Sequence, residues 1–232
     1  MIRLLQFPPA FNVPNPSPFC VKAELLLKMA GLPYECVVLS DPRKGPKGKL
    51  PAIEDDGEII GDSEIIRWHI ERKYKVDFDR GLSEVERATA YAFARLLEER
   101  TYWVLVYHRW IAEANWPIIR RALFGSLPPV VRDIVAPLLR RKVRRDLRGH
   151  GLGRHAQAEI NEMGIRDLRA IATQLGDKPY FMGAEPSGVD ATAFATVVNI
   201  IDPPFDSPVR QEALGHANLV GYSKRLRAKY FA

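Results

Sequence analysis

Residues 15–38 read NPSPFCVKAELLLKMAGLPYECVV. A proline-studded loop leads into FCVKAELLLKMA (19–30), whose apolar residues at 21, 25, 26, 29 and 30 follow helical spacing. Gly31 reads as the C-cap, with Pro33 just beyond, and YECVVL (34–39) predicts a strand. Upstream, IRLLQF (2–7) is a short apolar run, and five prolines follow between positions 8 and 18. That pattern predicts a buried strand and then a stiff loop. A lone helix between two strands implies a right-handed crossover and parallel pairing. Two cysteines spaced by two residues at the start of such a helix would form a redox pair. Here Cys20 stands where the second would be and Ser17 where the first would be. A cysteine at 17 would itself be the nucleophile, whereas a serine can only hold and stabilise the thiolate of another molecule.

The pattern continues downstream. SDPRKGPKGK (40–49) is a polar loop. LPAIEDDGEIIGDSEIIRWHIERKY (50–74) predicts strands at 52–54 and 58–60 around an Asp56-Gly57 turn, then a helix over about 63–74. Residues 1–75 therefore read β-α-β-β-β-α. From 83 onward the β signal fades. SEVERATAYAFARLLEERTYWVLVYHRWIAEANW (83–116) predicts one long helix opened by a Ser83/Glu86 capping box. Further helices are predicted near 117–123, 129–147, 155–175, 188–200 and 209–230, and Ser187/Asp190 again has capping-box spacing. The class is α+β, with a mixed unit over 1–78 and an all-helical unit over 83–232.

Composition is that of a globular chain: 47% hydrophobic, 27% charged, and no run long enough to span a bilayer. Two cysteines are too few for a disulfide framework or a four-ligand zinc site. With no signal-peptide pattern at the N-terminus, a reducing cytoplasm is the expected compartment. The net charge of +6 is local: residues 140–154, RRKVRRDLRGHGLGR, hold seven basic residues and one acid. Apolar residues at 131, 134, 135, 138, 139, 143 and 147 make this a basic amphipathic helix with a break expected near Pro137. A solvated face is the default, and a weak contact with an anionic surface is the functional alternative. No aromatics interleave with the arginines, which argues against nucleic acid.

Three stretches resemble the cytosolic glutathione transferase superfamily: PSPFCVKAELLLKMAGLPYE (16–35), GKLPAIEDDGEIIGDSEIIRWHIE (48–71) and PYFMGAEPSGVDATAFA (179–195). The wording is most similar to the branch that holds failed-axon-connections and metaxin-like proteins, as are TYWVLVYHRW and RRKVRRDLRGHGLGRH. The resemblance implies a thioredoxin-like N-terminal domain, an all-α C-terminal domain, glutathione as co-substrate, a small hydrophobic electrophile and a homodimer. By resemblance, Leu50 before a cis Pro51 pairs its backbone with the cysteinyl part of glutathione. Asp62 and Ser63 meet the γ-glutamyl group, and Lys49 the glycine carboxylate. By resemblance Ser17 is the hydroxyl for the thiolate; some classes use a tyrosine near the first strand instead, and this chain departs from that pattern with Phe7.

The energetics allow that role. Lowering a thiol pKa from about 8.5 by about 2 requires roughly 2.7 kcal/mol of preference for the anion. One hydrogen bond to a charged acceptor supplies about 1.5–3 kcal/mol and a helix N-terminus about 0.3–1 kcal/mol. The bland alternatives are that Ser17 and Ser63 are plain helix caps, and that Cys20 and Cys36 are ordinary packing residues. Trp103 and Tyr107, at helical spacing with Trp110, are core aromatics or the wall of an electrophile pocket. Two competing readings follow: a non-catalytic adaptor of the same fold, and a reductase acting through Cys20.

Overall fold

The apolar run at the N-terminus forms an inner strand of a four-stranded sheet. In the computed structural model, which describes residues 1–231, β1 (Ile2–Gln6), α1 (Pro18–Met29), β2 (Tyr34–Val38), β3 (Ala52–Asp55), β4 (Glu58–Gly61) and α2 (Ser63–Tyr74) follow one another in the predicted order. The sheet order is β2-β1-β3-β4. β1 pairs parallel with β2 and antiparallel with β3, and β3 pairs antiparallel with β4. Ile2 and Leu4 turn one side of β1 into the core with Leu25, Leu26 and Leu27 of α1. β2 is an edge strand and mostly exposed, so Cys36 is a free thiol at the surface and not a packing residue.

The remaining elements are helical: α3 (Glu84–Arg95), a π turn (Leu96–Thr101), α4 (Tyr102–Trp110), α5 (Trp116–Phe124), α6 (Pro129–His150), α7 (Gln157–Leu175), α8 (Gly188–Ile201), α9 (Pro208–Gly215) and α10 (Ala217–Tyr230). The single helix predicted over 83–116 stops at Trp110. Pro117 lies in the first turn of α5, where it starts the next helix. The buried Asn115 side chain donates to the His108 and Asp206 carbonyls, at 3.0 and 2.8 Å. The helix predicted over 209–230 is two, because His216 is extended (φ −94°, ψ 97°). Conversely, α6 runs through Pro137 unbroken. Its first-half apolar residues, Val131, Ile134, Val135, Leu138 and Leu139, are exposed, and only Ala136 and Leu147 are fully buried.

All fourteen residues of α8 are buried, and its opening is held by Asp190. That carboxylate accepts from the Ser187 amide and hydroxyl, the Phe181 amide and the Tyr222 hydroxyl at 2.8–3.0 Å. The capping box is therefore structural, as the spacing predicts.

α1 lies between the sheet and α8 and carries a buried cation. Lys22, 2% exposed, meets Glu64 of α2 at 2.5 Å and Glu98 of the π turn at 2.7 Å. Arg95 joins Glu98 at 2.6 Å, and the Thr192 hydroxyl of α8 donates to it at 3.2 Å. A π turn adds a residue to the helical ladder and so rotates the side chains beyond it, here presenting Glu98 to the interior. Burial pushes the Glu64 carboxyl up, but Lys22, with Arg67 and Arg95, outweighs it and the pKa falls below the ordinary value.

Lys22→Met removes the one cation that meets both carboxylates at 2.5–2.7 Å, and a loss of about 3–5 kcal/mol is expected, read as a lower urea midpoint. Because its native pKa is lowered, Glu64 contributes stability that is complete above its unfolded value of about 4.3 and is lost as pH falls through the native value. Wild type is therefore expected to lose more stability on acidification than Lys22→Met. Parallel pH profiles would contradict this account of the cluster.

Candidate active site

Ser17 is held by a side chain between two prolines. Asn15 is buried, and its Nδ2 donates to the Phe7 carbonyl at 2.8 Å and to Gln6 Oε1 at 3.2 Å. Its Oδ1 accepts from the Ser17 amide at 3.0 Å. Ser17 is the N-cap of α1, half-buried, and its Oγ accepts from the Cys20 amide at 3.4 Å. An oxygen used this way still has a proton to donate, at the positive end of a helix.

The other end of the Pro16–Ser17 peptide is held from the helical half. Arg109 of α4, 5% exposed, donates to the Pro16 carbonyl at 2.5 Å and to Asn199 O and Oδ1 of α8 at 2.8 and 2.7 Å. Asn199 Nδ2 donates to the Asn15 carbonyl at 3.3 Å. Among the described residues no carboxylate pairs with Arg109, and its Nε is buried without a partner. The rings of Phe11 and Phe205 flank it, at 6.0 and 5.4 Å. Burial lowers its pKa to about 10, which leaves it charged at neutral pH. The result is an uncompensated buried cation beside the loop that carries Ser17.

The Leu50–Pro51 peptide is cis, as the resemblance implies. Among the described residues the Leu50 N–H and C=O make no hydrogen bond, while its side chain is buried. The loop before it is tight: a Cβ on Gly45 would lie 2.1 Å from the Lys49 carbonyl oxygen. Lys49 is exposed, with no ion pair among the described residues. The Pro51 carbonyl accepts from the Asp62 amide at 3.3 Å, which brings the two predicted stretches together. Asp62 has φ +89°, a region costly for a side-chain residue. Its carboxylate is exposed and caps the Glu64 amide at 2.9 Å. Ser63, the first residue of α2, is 4% exposed, and neither its amide nor its hydroxyl has a partner among the described residues.

Cys20 is fully buried, and burial pushes its thiol up to about 12 against the lowering effect of the Phe7 backbone and the Ser17 hydroxyl. It is a packing residue, which removes the basis for a Cys20 reductase. The α4 aromatic that touches α1 is Tyr102, edge-on to Phe19 at 4.7 Å. Trp103 stacks on His150 of α6 at 4.7 Å. Tyr107 lines a cavity of about 420 Å³ with Ile111, Arg144 and Gln157, whose walls all belong to the helical half. A second cavity of about 380 Å³ lies along the loop that leads to Ser17, between Pro9–Pro14 and Arg227 and Phe231 of the C-terminal helix.

Leu50, Pro51, Asp62 and Ser63 lie together and Ser17 caps α1, while Trp103 and Tyr107 face α6 and a cavity of the helical half; Asn15, Arg109 and Asn199, which hold the Ser17 loop, are not among the residues that the sequence singles out. One signal was available: Arg109 is the one formal charge in TYWVLVYHRWIA (101–112).

Family models match in two places: the glutathione S-transferase N-terminal domain over residues 18–115 and the glutathione S-transferase C-terminal domain over 164–226. The isoprene-epoxide–glutathione S-transferase of Rhodococcus sp. (strain AD45) is 31% identical over 99% of both chains. Failed axon connections of Drosophila melanogaster is 32% identical over 100% of this chain, which spans 58% of that protein's length. Among solved structures, the glutathione transferase GSTFuA3 of Phanerochaete chrysosporium superposes with a TM-score of 0.66 at 18% identity, covering 100% of this chain and 98% of that one. With both domain models matched in order and a full-length relative above 30% identity, the chain belongs to the glutathione transferase superfamily.

Proposed function

We propose that this protein binds glutathione, stabilises its thiolate and conjugates it to a small hydrophobic electrophile. The observation that carries the reading is the set of unmet backbone and hydroxyl groups at Leu50 and Ser63, joined through the Pro51–Asp62 hydrogen bond. Leu50 offers one N–H and one C=O, which suits strand-like pairing with the cysteinyl unit of the tripeptide. The Ser63 hydroxyl and amide, at the positive end of α2, suit the γ-glutamyl carboxylate. Asp62, exposed beside them, suits the α-amine, and Lys49 the glycine carboxylate.

This binding carries the thiol toward the start of α1. The Ser17 O–H donates to the sulfur, whose proton leaves to water. The buried Arg109 cation favours the anion further, since an opposite charge nearby lowers an acid's pKa. The thiolate then attacks an electrophilic carbon: a C–S bond forms, the leaving bond breaks, and a departing alkoxide takes a proton from water. The name of the Rhodococcus relative makes an epoxide the first electrophile to try. The cavity of about 380 Å³ beside residues 9–14 has a volume within the small-molecule range and is the proposed entrance. A second reading, the non-catalytic adaptor, draws on the exposed aliphatic face of α6 and predicts no glutathione binding.

Calorimetric titration with glutathione is expected to show micromolar to low-millimolar binding, weakened at least about tenfold in Ser63→Ala. No heat at cellular glutathione concentrations would sink the transferase reading. In the bound state, ultraviolet thiolate absorbance against pH is expected to show the pKa raised by about 1 in Arg109→Met and largely restored in Arg109→Lys. An identical thiol pKa in all three proteins would remove Arg109 from the mechanism. Ser17→Ala is expected to cut kcat/KM about 10–100-fold at neutral pH, whereas Cys20→Ser leaves it near wild type. In the native protein a thiol reagent should label Cys36 and spare Cys20; rapid labelling of Cys20 would contradict its assignment to the core.

A further inference from the structure

The two family matches leave residues 116–163 between them, and that segment carries α5 and α6. α6 docks through Ala136, Val143 and Leu147 and through Arg140, which donates to the Trp110 and Ile111 carbonyls at 2.8 Å and lies 4.7 Å over Trp116. The opposite face follows helical spacing through residues 130, 134, 138, 141, 145 and 148. Its first half is aliphatic and in water: Val130 is 74% exposed, Ile134 57% and Leu138 61%. Its second half is cationic. Arg141, Lys142, Arg144, Arg145 and Arg148 are exposed, and Arg141, Arg144 and Arg148 have no ion pair among the described residues. Residues 116–150 hold nine Lys/Arg and two Asp/Glu, an excess of seven against +6 for the whole chain.

We infer that the outward face of α6 docks the protein on an anionic membrane surface. The aliphatic half sits among the headgroups, and the arginines of the second half meet lipid phosphates. Charge complementarity selects this occupant. A second copy would bring the same positive excess against itself, whereas a bilayer with anionic lipid supplies apolar depth and negative charge in one surface. The outward positions share one side of a helix about 33 Å long, so a helix lying in the interface plane brings both halves to the surface at once. Among the described residues no helix is long and apolar enough to cross a membrane. The contact is therefore peripheral, and it is independent of glutathione binding.

Flotation of the full chain with vesicles tests this. Binding is expected to vesicles of phosphatidylcholine with phosphatidylserine, to be weak with phosphatidylcholine alone, and to fall as salt is raised. Arg141→Gln with Arg148→Gln is expected to lower the partition coefficient about thirtyfold. Ile134→Ser with Leu138→Ser is expected to lower it more than about tenfold. All four positions are exposed, and circular dichroism with the urea midpoint checks that each variant folds; the salt response of wild type needs no variant. Equal binding to neutral vesicles, or binding unmoved by both pairs of substitutions, would overturn the inference. So would a concentration-dependent dimer in light scattering that Ile134→Ser with Leu138→Ser abolishes, without vesicle binding in wild type.

Discussion

Lys22 is the point from which the rest of the structure is organised. A lysine one turn into a buried helix is costly unless its charge is met. Two acids meet it, one from each half of the molecule: Glu64 from α2 and Glu98 from the π turn. That requirement explains several features at once. The long helix after residue 83 carries a π turn at 96–101, which brings Glu98 inward. α8 supplies Thr192 to the same carboxylate. α1 and α2 are tied together near their first turns, where Ser17 and Ser63 lie. Neither half satisfies the cluster alone, so the relative placement of the two helix starts depends on the contact between the halves.

The same logic runs through the candidate site. The Pro16–Ser17 peptide is fixed at its nitrogen by Asn15 and at its carbonyl by Arg109, one from the mixed half and one from the helical half. Asp62 sits in an unfavourable backbone region, which costs on the order of 1–3 kcal/mol. The Ser63 amide and hydroxyl have no protein partner, and Arg109 is a buried cation with no counter-ion among the described residues. A bound anionic peptide with a thiol would give the Ser63 groups partners and the Arg109 cation a negative charge nearby, which favours the co-substrate reading.

The fold was legible because its signals are local. Pro8–Pro18, Gly31, Asp56-Gly57 and Ser187/Asp190 mark boundaries by backbone chemistry that neighbours cannot override. Ser17, the cap of α1, was legible for the same reason, whereas at α2 the cap is Asp62 and not Ser63. Partners far apart in sequence were not. Arg109 and Asn199 touch residues 15–16 from more than 90 positions away, as the 3.3 Å contact of Asn199 with Asn15 (separation 184) makes plain. Helix breaks at 111–115 and at His216 were also missed, since buried side-chain hydrogen bonds and extended caps leave little trace in periodicity. The apolar positions of α6 read as one stripe, yet Val143 and Leu147 pack while Ile134 and Leu138 face water. Periodicity reports that a helix has an apolar face and is silent on what covers it.

The central claim is that one ligand bridges the starts of α1 and α2 through the cis-proline loop. Backbone amide NMR during a glutathione titration tests it most directly. The account predicts saturable shifts concentrated at the amides of Ser17, Leu50 and Ser63, with Asn15 and the Arg109 side chain following at the same ligand concentration. Shifts confined to one helix start, shifts scattered elsewhere, or an unchanged spectrum would contradict it.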